Sequence, residues 1–150
     1  MSDFFGKIYE LFSRMGFFGS PLEMYLHGYD CEMMDYSGTP LFGTFGSIML
    51  ILALLSAVLF YYVIDHPRFN KLWHWLLVMA ILGLILFVVP WFWLDSHLTT
   101  GRICADLVVN RSDITGFSLV NTLLGVLFFT AISFIIRNGS RNGSCTPLKL

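Results

Sequence analysis

The sequence predicts an all-α membrane protein: three transmembrane helices with an N-terminal amphipathic interfacial helix. Composition is the first reason. Of 150 residues, 56% are hydrophobic and 13% are charged, whereas a soluble domain carries roughly 25% charged residues. Distribution is the second. The apolar residues gather in three runs, each long enough for the about 20 residues that cross a hydrocarbon core roughly 30 Å thick. The third is that none of these runs contains Asp, Glu, Lys or Arg.

Residues 1–41 form a peripheral zone of amphipathic and loop segments. Phe4, Ile8, Leu11 and Phe12 share a helical face, with Lys7, Glu10 and Arg14 largely elsewhere. This pattern predicts an interfacial helix of about three turns, ended by Gly16, Gly19 and Pro21. The same three charges interrupt residues 4–18, so the stretch does not read as a signal peptide, and the later apolar runs are expected to act as targeting signals. A second short helix is expected over residues 21–27, with Pro21 at an early position. Residues 28–40, with Asp30, Glu32 and Asp35, read as a solvated acidic loop without the EF-hand pattern.

The three-span helical membrane domain covers residues 42–137. The first span is expected over residues 41–64, ending where Pro67 disfavours helix at His66. The second is expected over residues 72–94. Trp73 and Trp75 stand at one end and Trp91 and Trp93 at the other, an aromatic belt at both interfaces. Pro90 is expected to bend this helix one turn before its end. The third span is expected over residues 116–136. Residues 138–150, which repeat Asn-Gly-Ser, read as a flexible tail.

Three spans place the two ends on opposite sides. Arg68, Lys71, Arg137, Arg141 and Lys149 fall on one side near the membrane, against Arg102 and Arg111 on the other. The positive-inside rule then puts the C-terminus in the cytoplasm and the N-terminus outside. Entry of an N-terminal segment as a fourth span is the alternative that would move the N-terminus inside.

Motifs for chemistry are scarce. No P-loop, G-x-G-x-x-G, G-x-S-x-G or H-E-x-x-H occurs, so the chain reads as non-enzymatic, with no catalytic residue, cofactor or metal site assigned. His27, His66, His74 and His97 lack a His-His metal spacing and read as interfacial side chains bonded to water and headgroups. Cys31 and Cys104 fall on the same, non-cytoplasmic side, and Cys145 on the other. A disulfide between the first two and a pair of free thiols both remain open. A net charge of −1 argues against nucleic acid as a partner.

What the spans do offer is small-residue faces, which let helices approach closely where no hydrophobic drive operates. Gly46, Ala53, Ser56 and Ala57 form one, and Ala80 and Gly83 another. Ser118, Asn121, Thr122 and Gly125 form the third, with Ser133 further along. Asn121 has two readings, an interhelical hydrogen bond or a pore-lining group. Phe60, Leu84, Phe87 and Phe128 are expected to face lipid or neighbouring subunits.

Tyr-Leu-His-Gly-Tyr-Asp-Cys at residues 25–31 and Tyr-Tyr-Val-Ile-Asp-His-Pro-Arg-Phe-Asn-Lys-Leu-Trp-His-Trp-Leu at residues 61–76 resemble segments of uncharacterised small multispan bacterial inner-membrane proteins. The resemblance implies a bacterial inner-membrane setting and no particular activity. The expectation is therefore a non-enzymatic subunit or scaffold in the lipid bilayer, as a homo-oligomer or within a membrane complex. The alternative is a homo-oligomeric ion-conducting pore or membrane-permeabilising effector.

Overall fold

The computed structural model describes residues 2–30, 33–63, 72–104 and 106–139. Among them it forms five helices: α1 (Ser2–Arg14), α2 (Ser20–Leu26), α3 (Leu41–Val58), α4 (Leu72–Thr99) and α5 (Arg111–Gly139), with a π-helical turn over Leu59–Val63 extending α3. Three of them are long and apolar enough to cross a membrane, and the chain is a multi-pass helical membrane protein. The expected tail over residues 138–150 lies almost wholly outside the described residues.

The long helices overrun the apolar runs. At 28 residues, α4 is about 42 Å long, against a hydrocarbon core of roughly 30 Å. It continues well past Pro90 to Thr99, and α5 starts at Arg111, ahead of the expected 116. The reason is that apolar runs end where the bilayer ends, while a helix can continue into water with polar residues such as Asp95, Ser96 and His97. The start of α5 carries its own stop signal: Asp113, in the first turn, accepts the Asn110 backbone N–H at 3.1 Å, as in a capping box.

The ends of the spans nearest Leu41, Thr99 and Arg111 carry α1, α2 and the loops, and this end is called the head. Its core is aromatic. The Tyr9 ring stacks on Phe42 at 5.2 Å and tilts against Phe117 at 5.2 Å, and Phe45 and Phe18 meet Phe117 edge-on at 5.4 and 5.6 Å. Met49, Ala53, Leu82, Leu86 and Val120 fill the middle of the bundle. At the far end, Phe60 and Tyr61 meet edge-on, and Trp75 lies against Phe129.

Two expectations are corrected. Phe60 does not face lipid; it is buried. It follows Ala57 by three residues, so it shares that alanine's inward face, and the small side chain leaves room for its ring. Leu84 is exposed as expected, and Phe87 and Phe128 are half-buried. The docking face of α1 is also rotated. Phe5 and Tyr9 are buried, whereas Phe4 and Leu11 are exposed beside Lys7, Arg14 and Met15. That outer ridge of apolar and basic residues keeps the composition of an interfacial helix.

Candidate functional site in the head

A buried polar relay joins α1, α5 and α4. Pro90 has no N–H, so the carbonyl four residues earlier, on Leu86, loses its helical donor. The Asn121 Nδ2 of α5 donates to that Leu86 oxygen at 2.9 Å. Its Oδ1 in turn accepts the Tyr9 hydroxyl of α1 at 2.7 Å. Asn121 is 2% exposed and Tyr9 is fully buried. Burial pushes the Tyr9 phenol well above its ordinary range, so it remains a donor. A proline and an amide, each costly in a span, thus satisfy one another.

The remaining small-face residues are used within the same chain. A Cβ on Gly46 would overlap the Phe5 ring, and one on Gly125 would overlap Leu86 and press on Met49. Ala53 and Ala57 are fully buried, and Ser56 is half-buried. Ser118, also fully buried, donates to the Ile114 carbonyl at 2.8 Å, and half-buried Thr122 donates to that of Ser118 at 2.9 Å. The structure therefore brings Asn121 and Gly125 to α4, and brings Gly46 to α1. It does not gather the set into one outward face. Of the cysteines, Cys104 is buried in the head, while Cys31 and Cys145 lie outside the described residues.

Asp113 organises the entrance to the head. Beyond its cap on α5, its Oδ1 accepts the Gly19 N–H at 2.9 Å and so sets the start of α2. Close to it, Gly116 lies directly beneath the Phe17 carbonyl, where any side chain would collide. At the top of α4, Arg111 pairs with Asp95 at 2.9 Å. Across the loop, Gly28 adopts φ +87° and packs backbone to backbone on Gly38, whose N–H donates to the Gly28 carbonyl at 2.9 Å.

Two groups of titratable side chains stand on this frame. His27 Nε2 lies 3.2 Å from Glu10 Oε1, and Glu23 completes a trio whose ligand atoms all lie within 4.8 Å of one another. Ser13 donates to Glu23 in a short contact. Separately, the Tyr25 hydroxyl and His97 Nδ1 are 2.7 Å apart, with the Trp93 ring on His97 at 3.8 Å. They border a cavity of about 380 Å³ that Asp30 and Arg102 also line. Burial pushes the Tyr25 phenol up, and the Arg102 charge works in the opposite direction. A half-open cavity with an aromatic wall, a cation and a carboxylate can hold a small polar molecule.

His27 and His97 thus have protein partners, contrary to the expectation of water and headgroups. Tyr9, Asp113 and the pair Glu23 and His27 are not among the residues the sequence singles out. The pair alone carries a signal, a Glu and a His four residues apart on one helix face, which the His-His, Cys-x-x-Cys and EF-hand patterns do not include. In comparisons with known proteins, no family model, no curated protein and no solved structure matches the chain.

Proposed function

We propose that the chain is a non-enzymatic integral membrane subunit or scaffold of the bacterial inner membrane, which holds a rigid head on the non-cytoplasmic side. The observation that carries this reading is the use of the span polar groups. Both ends of the Asn121 amide are bonded within one chain, and Ser118 and Thr122 bond their own helix. A pore lined by these groups would need them on an outer surface. The outer faces instead carry Ile51, Leu55, Leu84, Leu123 and Leu127, which suit lipid or another apolar helix. Because the small residues are engaged internally, assembly into homo-oligomers or a larger complex runs through these larger side chains.

The head is tied together by a disulfide between Cys31 and Cys104 in this reading. In its support, Tyr29 and Met34, which flank Cys31 in sequence, line the same cavity as Cys104. Two measurements test the function. Purified protein in planar bilayers is expected to leave the membrane electrically silent, and steady unitary currents altered by Thr122→Ala would overturn the scaffold reading in favour of the pore. Mass measurement in mild detergent is expected to give more than one chain per particle, and a strict monomer would remove the homo-oligomer from the proposal.

A further inference from the structure

We infer that Glu10, Glu23 and His27 form a binding site for a divalent transition-metal ion, with Zn²⁺ the best fit. The inference is independent of whether the chain scaffolds or conducts. Glu23 lies on α2 and His27, four residues on, caps its C-terminus with helical backbone, so the two project from one face; Glu10 faces them from α1. Their ligand atoms lie within 4.8 Å of one another. With metal–donor bonds of about 2.0–2.2 Å, two donors on a tetrahedral Zn²⁺ are about 3.4 Å apart. His27 Nε2 and Glu10 Oε1, at 3.2 Å, already have nearly that spacing. A Glu23 oxygen, within 4.8 Å of both, completes the set.

The backbone under each ligand is held. Each ligand follows a fully buried residue in sequence: Tyr9 before Glu10, Leu22 before Glu23 and Leu26 before His27. The His27 ring stands edge-on to Phe42 at 4.9 Å, leaving Nε2 aimed at Glu10. Neighbours occupy the other carboxylate oxygens. Arg14 lies 3.9 Å from Glu10 Oε2, and Ser13 donates to Glu23 Oε2. Such outer partners orient metal ligands. Two carboxylates balance a dication, and the imidazole selects against Mg²⁺ and Ca²⁺, which take oxygen donors. The three groups are half-buried, which leaves a coordination position open to water or to a ligand from outside.

The competing account is a hydrogen-bonded clamp between α1 and α2 that needs no ion. Full-length protein in mild detergent, stripped with chelator and titrated with Zn²⁺, separates the two. One equivalent is expected to bind and to raise the melting temperature by mass action. Glu23→Gln and His27→Gln are expected to abolish both effects, while Ser13→Ala weakens binding by about tenfold, as for an outer-shell partner. His74→Gln, at the opposite end of the spans, is the control and should bind as the parent does. Should a ligand variant fold poorly, Co²⁺ added to the parent gives a second readout: visible d–d bands without an intense thiolate charge-transfer band. Absence of a bound equivalent, equal Zn²⁺ binding by folded Glu23→Gln and His27→Gln, or a thiolate band would each overturn the site.

Discussion

Asn121 shows how a single side chain can settle the energetics of a span. Ten residues along α5 from Arg111, it stands about 15 Å into the helix, at a depth where water cannot replace a lost partner. Replacing it with Leu strands both the Leu86 carbonyl and the Tyr9 hydroxyl, and a buried group left unsatisfied costs about 1–3 kcal/mol. Asn121→Leu is therefore expected to lower stability in detergent by that order. The penalty has a specific remedy. Pro90→Ala restores an N–H four residues after Leu86, so the carbonyl regains its helical donor. In that background Asn121→Leu should cost clearly less, and a double-mutant cycle reads the difference. Equal costs in the two backgrounds would mean that Asn121 does not serve the carbonyl vacated by the proline.

At the scale of elements, α1 is held by sockets that only glycine permits. The Phe5 ring occupies the space a Gly46 side chain would fill, and overpacking of this kind typically costs about 1–3 kcal/mol. Gly46→Leu is expected to release α1, so that its amides exchange rapidly with solvent while those of α4 and α5 stay protected. Gly83→Ala is the matched control, because its Cβ would meet Thr122 at an ordinary 3.5 Å. Loss of protection in both variants, or in neither, would refute the socket. The second tie is the proposed disulfide: non-reducing mass analysis should find the Cys31 and Cys104 peptides linked, and labelling of both thiols without reductant would exclude the bond. The spans were legible in the sequence because a charge-free run of sufficient length has few alternatives. The arc of α1 that docks was not, since apolar residues occupy both Phe4–Leu11 and Phe5–Tyr9 arcs, and the choice rests on Gly46 and Asn121, far along the chain. Pro90 and Asn121 were each visible as oddities. Their coupling needed the register between α4 and α5, which no periodicity supplies. The Glu10, Glu23 and His27 trio was half legible, through the four-residue spacing of Glu23 and His27, while the contribution of α1 was not.

For the whole molecule, the fold bears on which way round it lies. At 13 residues, α1 is about 20 Å long, short of the roughly 30 Å needed to cross, and α2 is shorter still. Both pack in the head, so among the described residues three helices are long and apolar enough to cross a membrane, an odd number that is expected to put the two termini on opposite sides. Orientation then rests on basic residues near span ends. In the sequence, Arg68 and Lys71 fall between the first two spans and Arg137, Arg141 and Lys149 at or after the end of the third, against Arg102 and Arg111 between the second and third. The ion pair between Arg111 and Asp95 does not alter that comparison, because acidic residues contribute little to the positive-inside rule. The head is accordingly expected outside and the C-terminus in the cytoplasm. A fluorescent protein fused after Leu150 should glow, and alkaline phosphatase at the same point should be inactive. If the basic residues set the orientation, replacing Arg68, Lys71 and Arg137 together with Ala should give a mixed population in which the phosphatase fusion gains activity. An active phosphatase fused to the parent chain would invert the assignment and place the Glu10, Glu23 and His27 site on the cytoplasmic side.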